Sequence, residues 1–232
     1  MHNNNILVLG SKQGSNLPDV KVDKIYCANA SVLRALEYKK KYPNIPVVCC
    51  TTAKEYTRNP FVTKTITDSN PNKIIIRDGK IKEFEKLSSC EYEFLSLANQ
   101  RKIQYDFYKL GRFSMYLAEL FYRKESLKKT LLYFYHTFSN NSILGASTGV
   151  FAIFLALREN LNSNIIISGI GLSGGPQFYK SDRKVDQDHS PRARVDRLLM
   201  NSIKIKFKKR IITLDKDMSD GAEINLWNEK II

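Results

Sequence analysis

The sequence predicts an α/β domain: a mostly parallel, Rossmann-like sheet with helices on both faces and a flexible lid segment. Three observations predict it. Short β-branched runs recur along the 232 residues. Several are apolar almost throughout, as strands buried on both faces are. Helical patterns stand between some of them, and such alternation builds parallel sheets.

The elements follow in order. "NILVLG" opens the chain as a strand and ends in "LGSKQGSNLPD". "KIYCA" is the second strand, followed by "NA" and the helix "SVLRALEYKKKY". "IPVVCC" and "KIIIR" are the third and fourth. From Glu91 to Phe138 the alternation breaks, and the aromatic-rich text reads as two or three helices packed on the sheet. Its Tyr and Phe residues suit a core better than a base-stacking platform. His136 lies in that stretch and is assigned no role. "TGVFAIFLALREN" is a helix feeding the strand "NIIISGI". Residues 171–188, rich in Gly, Ser, Asp and Lys, form a long loop of the kind that serves as a lid. Ser190 as a cap and Pro191 at the first position start the helix "PRARVDRLLMNSIKIKF", which precedes the strand "RIITLD". "LDKDMSDGAE" lacks the glycine and terminal glutamate of a calcium loop and reads as a polar turn.

Length and composition bound the function. Residues 1–232 suit one domain, and 43% hydrophobic residues can fill a sizeable core. Runs of about twenty apolar residues are absent, so no membrane span is expected. The start "MHNNNILVLGS" does not read as a secretion signal. Cys27, Cys49, Cys50 and Cys90 lack metal-ligand spacing, and Cys49 and Cys50 sit in an apolar run. A reduced, cytoplasmic setting is expected. The net charge of +14, from 37 Lys and Arg against 23 acids, points to an anionic partner or to a lysine-rich solvated face.

Four short pieces could carry chemistry. Gly10 and Gly14 permit close backbone approach where open parallel sheets bind ligands, although a tight turn alone would also want them. Neither a dinucleotide fingerprint nor a P-loop is present. After the second strand stands Asn29, where an NAD site keeps an acid, and an amide suits a sugar or base edge. Ser147, Thr148 and Gly149 open a helix whose free N–H groups can take an anion, or they are an ordinary cap. Tyr179 lies on the loop, where a phenol can donate to a leaving phosphate. His189, one of three histidines, precedes a helix whose dipole would keep an imidazole neutral and fit to act as a base, or it belongs to a polar loop before a surface helix.

In this order, these pieces resemble the bacterial sialyltransferases of glycosyltransferase family 42. The similar features are the glycine turn, "CAN", "STGVFAIFLAL" with "IIISGI" beyond it, the Tyr-bearing loop and "HS" opening a helix. The strong matches lie in residues 147–190. The resemblance implies a single Rossmann-like domain with a lid, which transfers a CMP-activated sugar acid with inversion and without a metal or cofactor. On this resemblance the donor site is expected at Gly10, Ser11, Asn29, Thr51, Ser147, Thr148, Gly149, Ser173 and Arg192. Tyr179 would hold the departing phosphate and His189 would take the acceptor proton. Three positions depart from the family. Thr51 stands where it has asparagine, Ser173 where it has a second lid tyrosine, and Gly145 where it often has arginine. Arg183, Arg192 or Arg194 could restore that charge. Sialic acid, another nonulosonic acid and Kdo all remain open as the donor sugar.

The expected partners are a CMP-sugar and a glycan or lipid-linked acceptor of lipooligosaccharide or capsule, with no nucleic acid. Peripheral contact with an anionic inner membrane and a homo-oligomer are compatible with this reading. The stretch "KIKFKKR", Lys204 to Arg210, could touch lipid or be a solvated helix end. Two other classes stay in view: a basic nucleic-acid-binding domain without catalysis, and a dinucleotide-dependent oxidoreductase.

Overall fold

A computed structural model describes residues 4–77, 90–107, 146–172, 176–179 and 191–227. Their strands are Asn5–Leu9 (β1), Lys24–Ala28 (β2), Val47–Thr52 (β3), Lys73–Arg77 (β4), Glu91–Leu95 (β5), Asn164–Ser168 (β6), Ile211–Thr213 (β7) and Asn225–Leu226 (β8). They form one sheet in the order β5-β4-β3-β2-β1-β6-β7-β8. Every neighbouring pair is parallel. Leu7 at the centre of β1 faces Ile25 on one side and Ile166 on the other. The fold is therefore the Rossmann-like α/β class that the apolar runs predict.

The described helices are Val32–Lys41 (α1), Ala53–Arg58 (α2), Pro60–Ser69 (α3), Leu97–Phe107 (α4), Thr148–Glu159 (α5), Pro191–Phe207 (α6) and Lys216–Ala222 (α7). Side chains alternate across a strand, so each strand feeds two cores. Ile6 and Val8 pack with Phe151, Phe154, Leu199 and Met218 from α5, α6 and α7. Leu7 and Leu9 pack with Val32, Ala35, Val62 and Ile66 from α1 and α3. Each fully buried Val, Leu, Ile, Met or Phe among them contributes about 1.5–3 kcal/mol. Helix α5 is apolar on all sides and is buried from Val150 to Leu157. Phe107 of α4 stacks on its Phe154 at 5.3 Å.

Two expectations are corrected. Glu91–Leu95 is not helical but pairs with β4 as a parallel strand. Lys73 pulls Glu91 and Glu93 into ion pairs at 3.2 and 2.8 Å, which favours this register. The text after Asp215 is not a turn but α7, with Met218 and Ala222 buried one helical turn apart.

Candidate functional site

The chain leaves β1 toward β2, while β6 pairs on the other flank of β1. This divergence opens a crevice at the carboxyl ends, the place where doubly wound sheets bind ligands. Two glycines meet there. The Gly10 N–H donates to the Ser168 carbonyl at 2.8 Å, and the Lys12 N–H to the Gly169 carbonyl at 2.9 Å. A Cβ on Gly10 would lie 2.1 Å from the Gly169 oxygen. Gly169 itself has φ +76°, and Gly149 of α5 lies against Ile170, with a built Cβ only 3.2 Å away. Gly10 and Gly149, far apart in sequence, thus converge on the Gly169–Ile170 corner.

The entrance to α5 is held firmly. Ser147 caps it by accepting from the Val150 N–H at 3.3 Å. The peptide unit joining Ala146 to Ser147 is gripped at both ends. Arg77 donates through Nη2 to the Ala146 carbonyl at 2.9 Å, and Asp196 Oδ1 accepts from the Ser147 N–H at 2.8 Å. Arg77 also donates through Nε to Gln100 and lies 4.3 Å over the Phe151 ring. Both Arg77 and Asp196 are buried. Ser147, Thr148 and Gly149 are half-buried, and the Ser147 and Val150 N–H groups of this entrance are taken by Asp196 and by the Ser147 cap.

Asn29 is half-buried and adopts φ 54°, a left-handed conformation that asparagine tolerates better than most residues. Its Oδ1 accepts from Thr51 Oγ1 at 3.0 Å. Ser11 donates to the Ala28 carbonyl at 3.2 Å. Ser11 and Thr51 are both buried, so they brace the ends of β1, β2 and β3 from within. Residues 176–179 cross above these ends. Gln177 bridges to Lys12, the Phe178 N–H donates to the Ser11 carbonyl at 3.0 Å, and Tyr179 stacks on Phe61 of α3 at 5.9 Å. Tyr179 is thereby brought to the same edge as Gly10 and Ser11.

Beside this corner lies a cleft of about 410 Å³, lined by Lys12, Gln13, Gly14, Asp215, Asp217 and Asp220 among others, so that Gly14 alone of the residues singled out in the glycine turn reaches it. None of the predicted donor residues lines it, although Gly10 and Ser11 directly precede its first wall. Lys12 and Asp217 pair across it at 2.7 Å. Asp215 accepts through Oδ2 from the Gly169 N–H at 2.6 Å and from the Ile170 N–H at 3.3 Å. Burial raises the Asp215 pKa above the usual aspartate value, against the pull of these two N–H groups and Lys12. Arg34 of α1 holds the Ser15 side chain and carbonyl, and its own burial lowers its pKa. Asp196 had a readable signal: it shares a helical stripe with Leu199, Met200 and Ile203, and an acid on an apolar face needs a buried partner.

His189, Ser173, Arg183, Gly145 and His136 lie outside the described residues, as do the side chains of Arg192 and Arg194. Among the described residues no helix is long and apolar enough to cross a membrane. Among them also, no three His, Cys, Asp or Glu residues gather as a metal site. Neither a protein-family model, a curated protein nor a solved structure matches this chain.

Proposed function

We propose that the chain is an inverting, metal-independent glycosyltransferase. It moves sialic acid or a related ulosonic acid from a CMP-activated donor to a glycan acceptor of lipooligosaccharide or capsule. The observation that carries this reading is the convergence of Gly10 and Gly149 on the Gly169–Ile170 corner, with Asn29 and Tyr179 at the same sheet edge. Gly10 and Gly149 meet at one corner, and Asn29 and Tyr179 follow the carboxyl ends of the same sheet, in keeping with the family resemblance these pieces carry.

In this proposal the acceptor hydroxyl attacks the anomeric carbon as His189 takes its proton. The bond from that carbon to the CMP phosphate oxygen breaks, and its electron pair leaves with the phosphate. Charge on the sugar is of oxocarbenium type at that moment, and negative charge grows on the phosphate. Fixed donors at that point stabilise the transition state more than the ground state. The Tyr179 phenol and the Thr148 and Gly149 N–H groups of α5 are those donors, and the buried grip of Arg77 and Asp196 keeps the second set in place. The amide of Asn29 serves the cytidine ribose or base.

Thermal-shift measurements with CMP, UMP, NAD and a short oligonucleotide test the reading. Stabilisation by CMP alone is the expected result. Stabilisation by NAD or the oligonucleotide, with no response to any cytidine nucleotide, overturns it.

A further inference from the structure

The amino edge of the sheet lies at the opposite end of the strands from the crevice. It carries the two most exposed large apolar side chains of the described residues. Ile205, in the last turn of α6, is 86% exposed, and Leu161, in the turn after α5, is 69% exposed. Arg210 ties the two segments together. It donates through Nε to the Ser163 carbonyl at 2.9 Å and through Nη2 to the Asn160 carbonyl at 2.7 Å, and stands 5.5 Å from the Phe207 ring. Lys206, Lys208 and Lys209 are exposed around Ile205, and Arg158 is exposed near Leu161. Two acids of this neighbourhood are engaged by other lysines, Glu159 by Lys24 and Glu223 by Lys204, and Asp23 accepts from the Asn5 N–H.

We infer that this edge docks on an anionic lipid bilayer. Aliphatic side chains set among lysines match a headgroup interface: the apolar groups sink beneath the phosphates while the ammonium groups stay among them. Nucleic acid is met by stacking faces, which neither Ile205 nor Leu161 has. A stable protein interface keeps lysine out of its centre. Docked this way, the crevice faces away from the bilayer at about a strand's length, ~17 Å, and stays open to solvent. The inference rests on this edge alone and is independent of the donor chemistry.

The test is co-sedimentation of the full chain with vesicles of phosphatidylglycerol mixed into phosphatidylcholine, beside vesicles of phosphatidylcholine alone. Binding to the anionic vesicles that falls with salt is the expected result. The triple variant K206Q/K208Q/K209Q weakens it by about a hundredfold, at roughly fivefold per lysine. Ile205→Ser and Leu161→Ser each weaken it by roughly tenfold. These positions are exposed, so an unchanged unfolding midpoint serves as the control for folding. Absence of vesicle binding, equal binding to both vesicle types, or variants that bind like the parent chain would each overturn the inference. So would lysine-dependent binding of a random oligonucleotide without vesicle binding. A concentration-dependent dimer lost on Ile205→Ser, again without vesicle binding, would assign the edge to a second copy of the chain instead.

Discussion

Arg77 and Asp196 hold the two ends of one peptide unit, the carbonyl of Ala146 and the N–H of Ser147. One residue ends a strand near the sheet margin and the other sits in the long helix α6, so two separate elements fix where α5 begins. Asp196→Ala leaves the Ser147 N–H without this acceptor and is expected to cost about 2–3 kcal/mol in urea denaturation. Asp196→Asn keeps an oxygen at the site and should cost less than half as much. Equal losses in the two variants would show that the grip is not what Asp196 provides.

Gly10 and Gly14 stand four residues apart and should respond differently to alanine. At Gly10 a Cβ meets the Gly169 backbone oxygen at 2.1 Å, and backbone at a strand crossing does not yield. Gly10→Ala should cost about 3 kcal/mol. At Gly14 a Cβ meets nothing within 4 Å, and only the φ of +72° opposes it. Gly14→Ala should cost about 1 kcal/mol, read from the same denaturation midpoints.

Asp215 makes stability depend on acidity. Its pKa is raised in the fold above the ordinary 3.8, chiefly by burial. The folded chain therefore binds this proton more tightly than the unfolded chain. The resulting stability is fully present below 3.8 and is lost as pH rises through the raised value. Asp215→Asn removes the titration while keeping an acceptor for the Gly169 N–H. Across that window the parent chain should lose stability relative to the variant as pH rises. Parallel profiles for the two proteins would reject the assignment. Asp215→Ala, which leaves two buried N–H groups without this acceptor, should cost about 2–3 kcal/mol at acid pH and less as pH rises through the raised value.

The proposed chemistry separates two side chains kinetically. His189→Ala should slow turnover of a CMP-sugar by about a hundredfold or more with CMP affinity nearly unchanged. Tyr179→Phe should lower kcat more than it raises KM, because the phenol acts on charge that grows only in the transition state. It also keeps the ring that stacks on Phe61. A Tyr179→Phe variant impaired only in KM would make the residue a binding contact.

Much of the sheet was legible because parallel strands buried on both faces spell nearly unbroken apolar runs. "KIIIR" and "NIIIS" read correctly for that reason. β5 did not, because it is an edge strand whose first three residues are exposed, and "EYEFL" has no apolar run to display. Its strand character comes from pairing with β4, which no local pattern encodes. α3 had signals that went unread, Asn59 as its cap and Pro60 at its first position. At the site, the glycines and the α5 entrance were legible because turns and caps are local chemistry. The roles of Arg77 and Asp215 were not, since each depends on a partner many residues away, and the stripe around Asp196 told only that it needs a buried partner, not which one.

The pairing of β1 with β6 has a consequence for synthesis. β1 can join β2 as soon as both have emerged, but its other flank waits for Ile165 and Ile166, in the last third of the chain. Until then the nascent half-sheet displays an unpaired margin, apolar from Ile6 to Leu9, on the ribosome. Slow translation or early termination before Asn164 would leave that margin open to clumping, so yield in the cell should depend on chaperones that shield emerging chains.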